Sequence, residues 1–304
     1  MTGERGTDRA EVLITPEELA VDTRSGGRRL ILDTTVLLAP ARHDGDYRAE
    51  SGLTSWSEAH LPGSRHVDLL TRFTDPAAPF HFADPGPEAV HRELALLGAD
   101  PGTELIVYDS GSTQWATRLW WTLRNAGVAS RVLDGGLARW QRSGLPVEHG
   151  SATIAPRPAG HRPTAGWSAR GRDLWVDLRL VRDISLGRRP GTLVCALGRE
   201  HFDGTAPTRY TRRGRIPGSV SLPARAVLTD TGKVADAARL AAYAAGLPAG
   251  EAGPVVVYCG GGISATLAAL GLVLAGVRDV RVYDGSLEEW TADQTLPVLT
   301  GTEE

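Results

Sequence analysis

A cysteine that closes an apolar run and is followed by three glycines is placed for nucleophilic sulfur chemistry. The chain has one in Val255-Val-Val-Tyr258-Cys259-Gly260-Gly261-Gly262-Ile263-Ser264-Ala265. The reactive form of cysteine is the thiolate. Successive glycines let the backbone turn tightly and point several N–H groups at one atom, an anion-binding nest. A helix opening at Ile263 adds the partial positive charge of its N-terminus. Both effects favour thiolate over thiol, and N–H groups from Gly260 to Ala265 suit a persulfide equally well. The plain alternative is an inert cysteine buried beside a glycine turn.

Cys195 is the only other cysteine and ends a second apolar run, Thr192 to Cys195. At a strand end on the same side of the sheet it is a candidate resolving thiol, able to attack a persulfide and form a disulfide. As a small core residue it is inert, and that is the expectation. Two thiols in 304 residues make no disulfide scaffold and point to a reducing cytoplasm. Apolar and charged contents of 41% and 23% are ordinary for a globular chain, and the net charge is only −3. No nucleic-acid or membrane partner is expected. Residues Met1 to Glu11 lack the apolar stretch of a signal peptide, and the longest largely apolar run, Ala265 to Val277, is too short to span a bilayer.

The elements that must position Cys259 occur twice. Glu104-Leu-Ile-Val-Tyr-Asp109 matches Pro254-Val-Val-Val-Tyr-Cys259, and Leu133-Asp-Gly-Gly-Leu137 with Trp140 matches Tyr283-Asp-Gly-Ser-Leu287 with Trp290. Both pairs are 150 residues apart, and His60-Leu-Pro-Gly-Ser64 matches Arg215-Ile-Pro-Gly-Ser219 at 155. Such constancy implies a duplicated fold. Each half alternates continuous apolar strands with helices, as expected of a mostly parallel sheet covered on both faces. Strands are predicted at 30–33, 105–108, 131–133, 192–195, 255–258 and 280–282, and helices at 88–97, 115–125, 135–143, 235–245 and 263–275. The expected organisation is an N-terminal domain over 1–150, a Pro-rich linker over 151–166 and a C-terminal domain over 167–304.

These segments together resemble the tandem-domain rhodanese-like sulfurtransferases, which include thiosulfate and 3-mercaptopyruvate sulfurtransferases, from about Glu11 to Leu299. The resemblance implies a cofactor-free, metal-free α/β enzyme with a ping-pong mechanism. Cys259 takes the outer sulfur of a small anionic donor as a persulfide and passes it to a thiol, cyanide or protein acceptor, a sulfur-carrier protein among them. It also implies an N-terminal domain without activity, because Asp109 stands where the cysteine would be. Ser110 and Ser112 beside it have no evident base to make them nucleophiles.

The loop resembles the Cys-Gly-Ser/Thr-Gly-Val-Thr of the mercaptopyruvate enzymes, with Gly261 replacing a hydroxyl residue linked there to proton transfer. It lacks the cations of the thiosulfate enzymes, so weak thiosulfate binding is expected. The family's Asp-x-Arg is Cys195-Ala196-Leu197 here, and His201 stands at a donor-binding arginine. Arg209 matches a second such arginine, Arg215 replaces a histidine, and His81 matches a cleft residue whose partner aspartate is Leu70. Of the cluster Arg209, Arg212, Arg213 and Arg215, one can reach a donor carboxylate or sulfonate, and most are expected to form a solvated face. Two rival readings remain. A phosphatase of this fold needs arginine six residues after the cysteine, where Ala265 stands. A non-catalytic binding or carrier module would not need the glycine cradle.

Overall fold

The computed structural model describes residues 7–22, 28–150, 166–167, 171–249 and 252–301. In the first half, the strands are β1 (Leu13–Ile14), β2 (Arg29–Asp33), β3 (Val36–Leu38), β4 (Ala49–Ser51), β5 (Arg65–His66), β6 (Glu104–Tyr108) and β7 (Arg131–Leu133). The second half has β8 (Trp175–Val176), β9 (Thr192–Cys195), β10 (Ser219–Ser221), β11 (Val255–Tyr258) and β12 (Val280–Tyr283). One all-parallel sheet has the order β1-β7-β6-β2-β5 and the other β8-β12-β11-β9-β10. The orders superimpose strand for strand, so the expected α/β architecture of two mostly parallel sheets is present. Strands β3 and β4 form a separate antiparallel hairpin.

Predicted strand and helix bounds agree to within two residues for the long apolar elements. The elements without a prediction are mostly short: β1, β5 and β8 have two residues each, too few to show a period. Of the expected linker, only Gly166 is among the described residues.

Alternation along the central strands sorts the core. Val107 and Val257 face a continuous core between the sheets, whereas Ile106 and Tyr108, and likewise Val256 and Tyr258, face separate outer cores. The helix after β6 (Gln114–Asn125) packs on the helix after β11 (Ile263–Leu274) in this shared core. Thr117 and Thr266 join their hydroxyls at 3.1 Å, and Ser264 Oγ donates to Gln114 Oε1 at 2.8 Å. Helix Ile263–Leu274 is apolar nearly all round because it is buried nearly all round.

The repeated motifs are explained by bonds that the two halves share. Tyr108 OH meets Ser64 Oγ at 2.8 Å and accepts from Leu61 N, and Tyr258 OH meets Ser219 Oγ at 2.6 Å and accepts from Ile216 N. Trp140 and Trp290 each donate their indole N–H to a proline carbonyl, that of Pro146 or Pro297. These motifs hold strand ends to the turns behind them. Tyr108→Phe and Tyr258→Phe should each lower stability by about 1–2 kcal/mol in urea unfolding, because each leaves a buried backbone N–H without its acceptor.

Candidate active site

Cys259 directly follows β11 at the carboxyl edge of its sheet, where ligands of open α/β sheets collect. It is 2% exposed. Its N–H donates to Ser286 Oγ at 3.1 Å, and its carbonyl accepts from Leu287 N at 3.0 Å, so the turn carrying Asp284 to Leu287 fixes its backbone. Helix Ile263–Leu274 points its N-terminus at the turn that begins with Cys259. Gly262 caps that helix at φ +76°, and a Cβ there would stand 2.6 Å from Arg118 Nη1. Only glycine serves at this position.

Arg118, from the first half, sets the loop. Buried within helix Gln114–Asn125, it donates to Gly262 O at 3.3 Å, to Asp284 Oδ1 at 2.7 Å and to Phe82 O. Its guanidinium lies 4.1 Å over the Trp175 ring. Asp284 in turn accepts from Asp84 N at 2.7 Å, while its counterpart Asp134 accepts from Val234 N at the same distance. Each half thus clasps the other through the aspartate of its Asp-Gly-x-Leu motif.

The first half carries the same turn with an aspartate in it. Asp109, fully buried, accepts from the N–H groups of Gly111, Thr113, Trp115 and Ala116 and from Ser112 Oγ, at 2.9 to 3.3 Å. Burial pushes its carboxyl up, against the pull of those donors. The turn there is one residue longer: its helix starts at Gln114, five residues after Asp109, whereas Ile263 is four after Cys259. Ser112 is therefore a ligand of Asp109.

A cavity of about 700 Å³ opens over Cys259 between the halves. Gly260, Gly261, Ile263 and Ser264 line it, while Gly262 and Ala265 lie behind, fully enclosed. Of the other expected residues, His201 and Arg209 line it and His81 does not. His81 sits at the rim, where its Nδ1 bonds Glu288 and its ring stacks 3.9 Å from that of Tyr47. Arg209 donates to the carbonyls of Leu38 and Ala39, carrying the hairpin's charge-free carbonyls on one side and the cavity on the other. Loss of hydration lowers its basicity. His201, on the short helix Arg199–Phe202, has its Nδ1 3.3 Å from Glu200.

The rest of the basic cluster is structural. Arg212 binds carbonyls of Thr291, Asp293 and Leu296, Arg213 pairs with Asp44 at 2.8 Å, and the buried Arg215 reaches Gly301 O at 2.8 Å over the Phe202 ring. Tyr47, Gln114, Glu288 and the hairpin Val36–Leu38 line the cavity without having been expected to. Tyr47, Gln114 and the strand Val36–Leu38 come from the first half, which packs over Cys259, and Glu288 comes from the helix Ser286–Ala292 of the second half.

Cys195 shares the sheet edge with Cys259, as predicted, but the opposite face. It belongs to the outer core with Val256 and Tyr258, while Cys259 belongs to the shared core with Val257. Burial pushes its thiol up to about 12. This placement suits a core residue better than a resolving thiol.

A rhodanese-like domain model matches residues 18–143 and 195–293. The chain belongs to the rhodanese-like family. Among the family's curated members, a Mycobacterium tuberculosis protein, SseB, provisionally named a thiosulfate sulfurtransferase, is 30% identical over 97% of this chain and 99% of its own. The human 3-mercaptopyruvate sulfurtransferase is 30% identical over 77% of this chain and 78% of its own. The crystal structure of Escherichia coli SseA, a 3-mercaptopyruvate sulfurtransferase, has a TM-score of 0.73 and 26% identity, covering 90% of this chain and 98% of that one.

Two tests follow from this rhodanese-like site. Cys195→Ser should leave sulfur-transfer turnover within about twofold of wild type, read in a steady-state assay, since its thiol is both buried and on the far face. Asp84 is the second case: burial, then the adjacent Asp284, pushes its carboxyl up to about 6. The folded protein therefore holds a proton there that the unfolded chain has released, and stability falls as pH rises from about 4 through about 6. Asp84→Asn, neutral throughout, should raise the melting temperature at pH 7.5, with the gain vanishing below about pH 4.

Proposed function

We propose that Cys259 is the sulfur carrier of a sulfurtransferase, accepting a sulfane sulfur from a small anionic donor and delivering it to a thiophilic acceptor. The observation that supports this most is the duplicated turn. In the first half it is a nest already filled, with the Asp109 carboxylate taking four backbone N–H groups and one hydroxyl. In the second half a thiol heads the equivalent turn instead, beneath a cavity. A turn built to hold an anion suits the charge of a thiolate and then of a persulfide.

The first half, over 1–150, then serves as scaffold and cleft wall, and the second, over 167–304, supplies the carrier. With 3-mercaptopyruvate as donor, the Cys259 thiolate attacks the donor sulfur, the carbon–sulfur bond breaks and the pyruvate enolate leaves to take up a proton. Thiosulfate gives the same persulfide and releases sulfite. Arg209 and His201 are the donor's anion contacts, with the backbone from Gly260 to Ala265 holding the sulfur. The cavity wall balances Arg48 and Arg209 against Glu50 and Glu288, which favours a monoanionic carboxylate over a dianion. Acceptors are a small thiol, cyanide or the thiol of a sulfur-carrier protein. A reducing compartment such as the cytoplasm suits two free cysteines.

Intact-protein mass spectrometry after incubation with 3-mercaptopyruvate or thiosulfate tests the reading. Wild type should gain one sulfur, about 32 Da, and Cys259→Ser none, with 3-mercaptopyruvate loading at the lower concentration. Equal loading of both proteins would remove Cys259 from the mechanism.

A further inference from the structure

The cleft contains a carboxylate oxygen that nothing in the fold accounts for. Glu288 lines the cavity with Cys259, and its N–H donates to Gly260 O at 2.8 Å. Its Oε1 is held by His81 Nδ1 and lies 3.4 Å from His81 N. Its Oε2 is buried and has no hydrogen-bond partner. An acceptor left so is costly, more so when charged, and calls for an explanation.

Gly261 shows where that oxygen points. A side chain at 261 would find one neighbour within 4 Å, Glu288 Oε2 at 3.2 Å, so the notch beside the cysteine turn is otherwise open. The duplicated half supplies the control. There the notch at Gly111 is closed by Ala138 Cβ at 3.0 Å, and Ala138 N donates to Ser110 O as Glu288 N does to Gly260 O. Ala138 and Glu288 are 150 residues apart, like Asp109 and Cys259. The fold is therefore satisfied by a methyl group at this place, and the half with the thiol has a carboxylate.

We infer that Glu288 is a catalytic base for the second half-reaction, taking the proton of a thiol acceptor as it attacks the sulfur on Cys259. His81 is the positioning residue: bonded to Oε1 and stacked on Tyr47, it leaves Oε2 as the oxygen with open lone pairs. The acceptor's S–H proton passes to Oε2, and its sulfur lone pair forms a bond to the outer sulfur. The bond between that sulfur and Cys259 Sγ breaks, returning its electron pair to the cysteine thiolate. The acceptor leaves as a persulfide, and the proton on Oε2 is released to water. No oxidant or reductant enters. The cleft thus carries its own base in place of a loop hydroxyl.

This inference rests on Cys259 being the carrier, and the test separates the two. Wild type and Glu288→Gln are loaded with 3-mercaptopyruvate, and the added sulfur is read by mass. Wild type that takes up no sulfur overturns the carrier reading itself. Loaded proteins are then discharged in single turnovers, to 2-mercaptoethanol and, separately, to sulfite, which at about pH 8 has no proton to lose. The ratio of thiol rate to sulfite rate should fall at least about a hundredfold in Glu288→Gln, the low end of the usual range for general-base catalysis. Should that variant not load, Glu288→Asp is read in the same way, since it withdraws the oxygens from the notch by one methylene. An unchanged ratio, with both acceptors slowed together or neither slowed, overturns the inference, because a merely structural Glu288 cannot tell the acceptors apart.

Discussion

The buried charge of Arg118 ties the first half of the chain to the turn at Cys259 in the second. A guanidinium enclosed at a domain boundary is stable only when its donors are used and its charge is met. Here Asp284 meets the charge, the carbonyls of Gly262 and Phe82 take further N–H groups, and Trp175 covers the flat face. Three of these four partners belong to the second half, and one is the glycine that caps the helix Ile263–Leu274. The loop conformation is therefore a property of the assembled pair. Without the first half, the turn at Cys259 would lose the cation behind it.

The two halves also show how one turn can be made inert or reactive. Asp109 folds back into its own N–H groups and satisfies the nest permanently, with burial raising its carboxyl rather than emptying it. The corresponding turn at Cys259 is shorter by one residue, has three glycines, and is headed by a thiol in place of the carboxylate.

Much of this was legible before the structure. The long apolar strands and helices stood out because burial on both faces removes polar residues from them, and the 150-residue repeat followed from the shared strand ends. The cysteine and its glycines were equally plain, since few other uses require three consecutive glycines before a helix. The motifs that made the repeat visible were a different matter. Tyr108 and Tyr258, Ser64 and Ser219, Trp140 and Trp290 prove to be bonds between strand ends and turns. Arg212, Arg213 and Arg215 likewise serve carbonyls or a neighbouring aspartate rather than the cleft. Nothing local separates an arginine that reaches an anion from one that closes a chain end. His81 could be aligned with a cleft residue, but its bond to Glu288 spans 207 residues and exists only once the halves pack. Cys195 needed the strand's two-residue alternation to be applied across β9 and β11 together, which places it on the face away from Cys259.

Duplication turns such a chain into its own reference. Wherever the two halves agree, as in the tyrosine–serine and tryptophan–proline bonds, the agreement is explained by what any copy of the fold requires. What sets one half apart is then to be found where they differ. The differences around the turn are few: Cys259 for Asp109, a turn shortened by one residue, Gly260 and Gly262 for side chains, and Glu288 for Ala138. Of these, Cys259, Gly260 and Glu288 line one cavity, and Gly262 lies behind them against Arg118. A carboxylate oxygen left without a partner is costly in a scaffold and useful in a site that must receive a proton. That contrast, between a methyl group that suffices and a charge that is nonetheless present, argues for chemistry at Glu288 more strongly than its proximity to the cysteine does.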